Sequence, residues 1–322
     1  MQNGSIARPE KRGRQERTLV RDLARTTRTP CDILQWSFES HYYRLKGTGY
    51  RLHYLDEGHG EVVVMLHGNP TWSFYYRNLV KELKKYYRCI VPDHLGCGLS
   101  DKPQEDLYTL DQHIERTIEL LESLNIKHYH LVVHDWGGAI GMAIAQRWPA
   151  RLKSLVILNT AAFHSTAIPF RILLCKTPIL GPILVRGFNL FARMATSMAA
   201  PRGLTAEEKR GYLFPYDSWR NRVAIWNFIK DIPLTPNHRS YDTITKIEET
   251  LWLLQHKSIL ILWGGLDFCF TKVFLKRWQS FFPNAKTIIY EYAGHYVLDD
   301  AVEDTIPEIR RFLMQKSEVT MY

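Results

Sequence analysis

The sequence predicts an α/β fold in which a mostly parallel central sheet is flanked by helices. Short apolar runs, such as residues 62–66 and 130–133, recur along the chain and alternate with segments of helical periodicity. Several of these runs end in glycine turns that carry polar side chains, as ligand-binding α/β sheets do. The chain has 322 residues, of which 45% are hydrophobic, enough for one large core and an insertion.

The pattern of the elements predicts three parts. Residues 1–30 hold eight Arg or Lys residues against three acidic ones and lack a core-forming pattern, so we expect a flexible basic extension over residues 1–34. We expect the core at residues 35–160 and 251–318, with a helical cap inserted at 161–250. Helical patterns in the core cover residues 73–86, 110–124 and 305–315.

A strand-to-helix turn carries the most informative residue, Asp135. The apolar run 130–133 precedes it, and residues 139–147 after it have the pattern of a helix that Trp148 and Pro149 close. A sharp turn of this kind lifts its central side chain above the sheet, where one large hydrolase fold carries a nucleophilic serine. The alternative is that Asp135 only caps the helix.

A carboxylate nucleophile changes the chemistry that this turn supports. Attack on an sp³ carbon gives an alkyl ester, which activated water can hydrolyse or from which the carboxylate can depart again. Substrates with a carbon–heteroatom bond to displace are therefore expected.

Two later turns supply partners for Asp135. The apolar segment 257–263 leads through Gly264 and Gly265 to Asp267, and residues 286–292 lead to His295. Both follow predicted parallel strands, whose carboxyl ends meet at one edge of the sheet. Asp267 is the candidate acid of a triad and His295 the candidate base.

The loop after residues 62–66 supplies a fourth part of the candidate site. A backbone amide of this loop and that of Trp136 are expected to form an oxyanion hole. The side chains of Asn69 and Trp136 carry N–H donors that can bind an anionic leaving group. Alternatively, Asn69 is a turn residue before Pro70 and Trp136 a core residue.

These motifs resemble the haloalkane dehalogenase branch of the α/β-hydrolase superfamily over most of residues 35–318. The resemblance implies an α/β-hydrolase fold, with Asp135 as nucleophile, His295 activating water, and Asn69 and Trp136 holding halide. Some dehalogenases carry their acid where this chain has Asn159, so Asp267 is favoured.

A closer resemblance is to the β-lactone decarboxylases of bacterial long-chain olefin biosynthesis. Residues 67–73, 93–100 and 135–142 carry it, together with cap segments 216–219 and 231–234. It implies conversion of cis-3,4-dialkyl β-lactones into cis-alkenes and carbon dioxide, with Asp135 attacking either the alkyl carbon or the carbonyl. It also implies a complex with other enzymes of olefin biosynthesis.

Other functions remain open at this point. Haloalkane hydrolysis is the first alternative and epoxide hydrolysis the second, which would need donors such as Tyr212 and Tyr216. A non-catalytic receptor or scaffold on the same fold belongs to a different class.

The cap sequence is rich in large apolar side chains and is expected to cover a pocket for long alkyl chains. Phe163, Phe170, Tyr216 and Trp219 are the candidate pocket residues, with packing of the cap onto the core as the alternative. Charged residues and prolines interrupt the run, so it predicts no membrane-spanning helix, and contact with a membrane surface remains open.

Other patterns exclude several function classes. The sequence has no metal-ligand motif and no phosphate-binding loop, so we expect neither a metal nor another cofactor. Its net charge of +9 comes without the motifs of a nucleic-acid-binding protein. No signal-peptide core follows Met1, which predicts a cytoplasmic location, and the five cysteines lack zinc spacing and are expected to be reduced.

Overall fold

The computed structural model describes residues 36–318 of the chain. The predicted basic extension at residues 1–34 lies outside the described residues, as does Cys31. From Phe38 onward the chain forms one compact unit, which holds both the sheet and the helices inserted into it. Cys89, Cys97, Cys175 and Cys269 are free thiols in this unit.

An eight-stranded sheet forms the centre of the unit, in the order β1-β2-β4-β3-β5-β6-β7-β8. Strands β1 and β2 and strands β2 and β4 pair antiparallel, and all other neighbours pair parallel. The strands are β1 His41–Arg44, β2 Arg51–Glu57, β3 Val62–Leu66, β4 Arg88–Pro92, β5 Tyr129–Asp135, β6 Leu152–Thr160, β7 Ser258–Gly264 and β8 Lys286–Tyr290. This topology confirms the predicted α/β architecture.

The central strands are buried on both faces, which explains their continuous apolar sequences. Alternate residues point to opposite sides of the sheet. Val64, Leu66, Leu131 and Val133 belong to one large apolar cluster, which also includes side chains from the helices on that side. The turns that follow β3, β5, β7 and β8 therefore project from a rigid sheet.

Helices of the core cover both faces of the sheet. The helices α2 Leu110–Ser123, α3 Trp136–Arg147 and α10 Lys272–Phe281 contribute to the large apolar cluster, while α12 Val302–Glu318 packs against α1 Arg77–Leu83. The predicted helix at 73–86 is observed as a 3-10 turn, Ser73–Tyr76, followed by α1. The helices predicted at 110–124 and 305–315 correspond to α2 and α12.

Between β6 and β7, a stretch that the structure describes throughout, all regular elements are helical. They are α4 Phe170–Lys176, α5 Leu180–Pro182, a π-helical turn Ile183–Gly187, α6 Leu190–Met198, α7 Ala206–Leu213, a 3-10 turn Arg220–Arg222, α8 Val223–Lys230, α9 Tyr241–Glu249 and a 3-10 turn Leu251–Leu254. We call residues 161–250 the cap, and its exact boundaries stay a prediction.

A buried ion-pair cluster joins the cap to the core. The guanidinium of Arg77 in α1 lies 2.8 Å from Glu208 of α7 and 2.7 Å from Asp299. Asp299 belongs to the short helix α11, Val297–Asp300, which follows the turn of His295. The cap is therefore tied to the part of the core that carries this histidine. No helix among the described residues is long and apolar enough to cross a membrane.

Candidate active site

The turn after β5 holds Asp135 in a strained backbone conformation. Its φ of 51° and ψ of −127° are unusual for a residue other than glycine. Small residues permit this turn, since a Cβ atom on Gly137 would lie 2.0 Å from the carbonyl oxygen of Leu66. The strain is a feature of a nucleophile elbow, which presents one side chain above the sheet.

The two carboxylate oxygens of Asp135 have different environments. Oδ1 accepts a hydrogen bond of 2.6 Å from the backbone N–H of Asn69, and the backbone N–H of Trp136 also donates to the carboxylate. We call these two donors the oxyanion-hole amides. Oδ2 instead lies 3.7 Å from Nε2 of His295. One oxygen is thus fixed by the backbone, while the other faces the imidazole.

His295 is oriented by Asp267, because its Nδ1 lies 2.8 Å from the carboxylate oxygen Oδ2. The backbone N–H groups of Cys269 and Phe270 donate to Oδ1 of Asp267, at 2.7 and 3.0 Å. The side-chain amide of Asn159 donates to Oδ2 at 2.9 Å. The structure therefore brings Asp135, His295 and Asp267 together in the geometry of a triad.

Burial and charge act in opposite directions on the two titrating groups. Burial lowers the pKa of His295, but the nearby carboxylates of Asp267 and Asp135 outweigh it, so the pKa is raised above its usual value. Burial raises the pKa of Asp135, and the contact with His295 only partly offsets this effect. The imidazole thus holds its proton to higher pH than an ordinary histidine.

His134 does not contact the carboxylate of its neighbour Asp135. Its Nε2 lies 2.9 Å from the backbone carbonyl oxygen of His295, and its ring stacks on Tyr75. Burial lowers the pKa of His134 well below the usual value, so the ring is neutral. It therefore packs beneath the turn of His295 and supports it.

A largely apolar pocket of about 200 Å³ opens above these residues. Asn69, Asp135, Trp136 and His295 form its polar end at the sheet. Most of the remainder is formed by apolar side chains of the cap, of the loop after β7 and of α10, although His164, Ser165 and Arg171 also line it. The apolar residues include Phe163, Ile168, Ile172, Phe191, Met194, Met198, Ile229, Ile232, Ile244, Phe268, Phe270 and Phe274. Such a pocket suits a hydrocarbon substrate that presents one polar group to the sheet.

The structure brings only one of the four candidate cap residues to this pocket. Phe163 lies in its wall, whereas Phe170, Tyr216 and Trp219 are absent from the lining. Phe170 and Trp219 are exposed to solvent. Tyr216 is fully buried, and its hydroxyl donates to the carbonyl oxygen of Thr71. The placement of these three residues in the pocket was wrong. The orientation of each cap segment, rather than the hydrophobicity of a residue, decides which side chains face the cavity.

The side chains of Asn69 and Trp136 both reach the pocket. One N–H of the Asn69 amide donates to the carbonyl oxygen of Ile225 in α8 at 3.1 Å, which leaves its second N–H. The indole N–H of Trp136 has no hydrogen-bond acceptor within residues 36–318. Anion binding by these two groups stays a prediction.

Helix α6 and Asn159 contribute to the site in ways that were not predicted. Helix α6 lines the pocket with residues spaced i, i+3, i+4 and i+7, a helical stripe that was visible in the sequence; they are Phe191, Met194, Ala195 and Met198. Asn159 was predicted only as a residue unable to replace Asp267. The hydrogen bond from Asn159 to Asp267 had no local sequence signal, because 108 residues separate them.

The epoxide-hydrolysis alternative needs tyrosine donors at the pocket, and the structure assigns them elsewhere. The hydroxyl of Tyr212 donates to Asp299, and neither Tyr212 nor Tyr216 lines the pocket.

In the part of the chain that the structure describes, no three His, Cys, Asp or Glu residues are grouped as a metal site requires. The predicted independence from cofactors stays a prediction.

Known proteins match this chain in sequence and in fold. The model of the α/β hydrolase fold family matches residues 61–178. A cis-3-alkyl-4-alkyloxetan-2-one decarboxylase of Shewanella oneidensis is 45% identical, over 86% of this chain and 89% of its own. A protein of the same name from Xanthomonas campestris pv. campestris is 41% identical, over 82% of this chain and 93% of its own.

A solved structure supports the fold alone. Haloalkane dehalogenase DatA from Agrobacterium tumefaciens superposes with a TM-score of 0.77 at 23% sequence identity, over 86% of this chain and 97% of that chain. The similarity therefore extends through core and cap.

Proposed function

The chain belongs to the family of cis-3-alkyl-4-alkyloxetan-2-one decarboxylases, and from this premise we propose that it converts cis-3,4-dialkyl β-lactones into cis-alkenes and carbon dioxide. The observation that carries the proposal is that the two oxygens of the Asp135 carboxylate have different environments. Oδ1 of Asp135 accepts a hydrogen bond from the backbone N–H of Asn69, while Oδ2 is directed to His295 beneath an apolar pocket. A strained ring lying on Oδ2 would have its two alkyl chains in the apolar part of the pocket.

The first step is attack of Oδ2 on ring carbon 4, the alkyl carbon. A bond forms between this carbon and Oδ2, and the bond from ring carbon 4 to the ring oxygen breaks. The products are an alkyl ester of Asp135 and a free carboxylate. Attack on the ring carbonyl is the other route, but it creates a new oxyanion, and the oxyanion-hole amides already donate to the carboxylate of Asp135. The site therefore favours attack at the alkyl carbon.

The second step releases both products. The electron pair of the bond between ring carbons 2 and 3 becomes the new double bond, and carbon 2 departs as carbon dioxide. The pair of the ester bond returns to Asp135. Attack from the side opposite the ring oxygen places the new ester bond antiperiplanar to the bond that breaks. Inversion followed by anti elimination turns a cis lactone into a cis alkene.

No proton is consumed in this sequence, which defines the role of His295. Its protonated imidazole, stabilised by Asp267, would offset negative charge as carboxylate leaves either the ring or the ester. The predicted anion-binding donors are the indole of Trp136 and the amide of Asn69. A neutral His295 would instead activate water and hydrolyse the ester, which is the dehalogenase outcome.

The reactivity of the substrate is the basis for a further proposal on the partners and the location of the protein. A β-lactone is a reactive electrophile, so we propose that the chain acts in the cytoplasm, in a complex with the olefin-biosynthesis enzymes that supply the lactone. Such a complex would limit the loss of the lactone to water. Co-purification of the tagged chain with these enzymes tests this extension separately.

The direct experiment compares two substrates. The purified protein is incubated with a cis-3,4-dialkyl β-lactone or a long 1-haloalkane, and alkene and halide are measured. We expect alkene from the lactone, little halide from the haloalkane, and neither product from Asp135→Asn, a nearly isosteric control. Halide release without alkene would instead identify a dehalogenase. Alkene formation that survives Asp135→Asn would refute the proposed nucleophile.

A further inference from the structure

The cap exposes a set of large apolar side chains beside the pocket. Phe170 is 76% exposed, Ile179 80% and Phe188 68%. The remaining members lie between them in the chain and are Leu173, Leu174, Leu180 and Ile183. Five of these residues belong to α4, α5 and the π-helical turn, which contact one another in sequence, while Ile179 directly precedes α5 and Phe188 directly follows the turn. We call all seven residues the apolar cap face.

Helix α4 is apolar on two sides, which packing within the molecule does not explain. Ile172 and Cys175 are buried and line the pocket. Phe170, Leu173 and Leu174, spaced i, i+3 and i+4, lie on the solvent side. A surface helix normally places polar residues on that side. Grouped apolar exposure of this kind is typical of a binding surface.

The charge of the surrounding segment has one sign. Residues 136–206 contain no Asp or Glu, and the cap part of this stretch carries five cations: Arg171, Lys176, Arg186, Arg193 and Arg202. Arg171 and Arg193 are exposed, and neither forms a salt bridge within residues 36–318. The ammonium of Lys176 is bound by backbone carbonyls of α8 and the residues after it. The exposed arginines therefore favour an anionic surface.

The apolar cap face continues into the pocket wall. Pro169, Arg171 and Ile172 line the pocket and are adjacent in the chain to Phe170 and Leu173 of the apolar cap face. A molecule that leaves an apolar phase beside α4 would have to pass only this helix to reach the pocket. This arrangement is useful to an enzyme whose substrate is insoluble in water.

We propose that the apolar cap face docks the protein on the surface of a lipid bilayer that contains anionic lipids. Phe170, Ile179 and Phe188 insert among the lipid headgroups and upper acyl chains, and Arg171 and Arg193 contact lipid phosphates. The absence of acids across residues 136–206 favours lipid over a protein partner, whose surface normally carries both signs. Docking itself does not depend on the proposed reaction, whereas delivery of lactone from the bilayer rests on it.

Flotation of the full-length protein with vesicles tests the proposal without any substrate. The vesicles contain either phosphatidylcholine alone or phosphatidylcholine with phosphatidylglycerol. We expect binding to the anionic vesicles that weakens as salt is raised. Replacing Phe170, Ile179 and Phe188 together by Ser should lower the partition coefficient by about tenfold or more, since their apolar surface no longer inserts.

A matched control replaces three equally exposed apolar residues elsewhere, Leu107, Trp252 and Val273, by Ser. This triple variant should bind vesicles like the wild type and unfold at a similar temperature to the test variant. A second test variant, Arg193→Gln, should weaken binding to anionic vesicles only. Wild-type protein that fails to float, or a test triple variant that floats undiminished, would overturn the proposal. So would lipid-free self-association that the test triple variant abolishes, because the face would then bind a second copy.

Discussion

At the scale of single residues, the site depends on keeping the two oxygens of Asp135 in different roles. The backbone N–H of Asn69 fixes Oδ1, so the carboxylate cannot rotate freely and Oδ2 stays directed at the pocket. His295 lies on the Oδ2 side, at 3.7 Å. The proposed chemistry requires that Oδ2 first forms and then breaks a bond to carbon.

The protonation of His295 should control the fate of the ester. Its pKa is raised by Asp267 and Asp135 despite burial, so the imidazole is protonated below this raised pKa and neutral above it. As pH rises through that pKa, the neutral ring can activate water, and hydrolysis to the β-hydroxy acid should increase relative to alkene. The product ratio over a pH series measures this effect. In His295→Gln the ratio of β-hydroxy acid to alkene should be low and independent of pH. A wild-type ratio that does not change with pH would contradict the role assigned to His295.

Gly68 should be required because of its close approach to the nucleophile. A Cβ atom at this position would lie 1.9 Å from Oδ1 of Asp135. We expect Gly68→Ala to displace the carboxylate and lower the rate of alkene formation about 100-fold. The control Gly47→Ala has open space around the added methyl group and should leave the rate unchanged. Equal rates in the two variants would show that the position of Oδ1 is unimportant.

The sequence predicted Asp135, Asp267 and His295 as a group because each follows an apolar strand and lies in a short motif. It did not predict how the carboxylate of Asp135 is oriented. That orientation depends on the backbone N–H of Asn69, which lies 66 residues before Asp135 in the chain, so the pairing is a property of the folded sheet.

At the scale of elements, β6 connects the nucleophile strand to the acid strand. Asn159 lies near its end, and its side chain accepts a hydrogen bond from the backbone N–H of Gly264 in β7 and donates to Asp267. All of these groups are buried. Asn159 therefore fixes the position of the Asp267 carboxylate relative to β7, the strand that precedes Asp267.

Removing this amide should destabilise the protein. Asn159→Ala leaves the Gly264 N–H without its acceptor, and we expect the free energy of unfolding to fall by about 1–3 kcal/mol. Urea unfolding followed by fluorescence measures the loss. The control Asn221→Ala, whose amide bonds to Asp217 at the surface, should change stability by less than about 0.5 kcal/mol. If the two variants are equally stable, the buried hydrogen bonds of Asn159 do not contribute as described.

The same scale explains which elements could be predicted. The buried strands are short continuous apolar runs, α2 and α12 have clear helical periodicity, and α3 follows the turn of Asp135, so their positions followed from the sequence. Helix α4 in the cap is short and apolar on more than one side. Its orientation is set by contacts with its neighbours, and the sequence could not assign Phe170 to the surface.

At the scale of the whole molecule, the cap must stay on the core for the pocket to exist. Arg77 is fully buried and pairs with Glu208 in the cap and Asp299 in the core. Removing a charge from such a cluster leaves two carboxylates without their partner. The cluster is thus a stabilising link between the two parts.

We expect Arg77→Met to lower the free energy of unfolding by about 3–5 kcal/mol. Arg147→Met is the control, because Arg147 pairs with Glu115 at the surface and should contribute about 1 kcal/mol or less. Thermal unfolding of both variants gives the comparison. A loss in Arg77→Met no larger than in the control would mean that the cap is held by apolar contacts alone.

The most direct test of the account is the fate of the oxygens of Asp135 during turnover. The enzyme is incubated with an excess of cis-3,4-dialkyl β-lactone in ¹⁸O-labelled water, and the peptide containing Asp135 is then weighed by mass spectrometry. If the Asp135 carboxylate departs from the substrate carbon with both of its oxygens, many molecules of alkene will form while Asp135 retains its original oxygens. Incorporation of ¹⁸O into Asp135 in proportion to turnover would show that the ester is hydrolysed, and would contradict the decarboxylation mechanism.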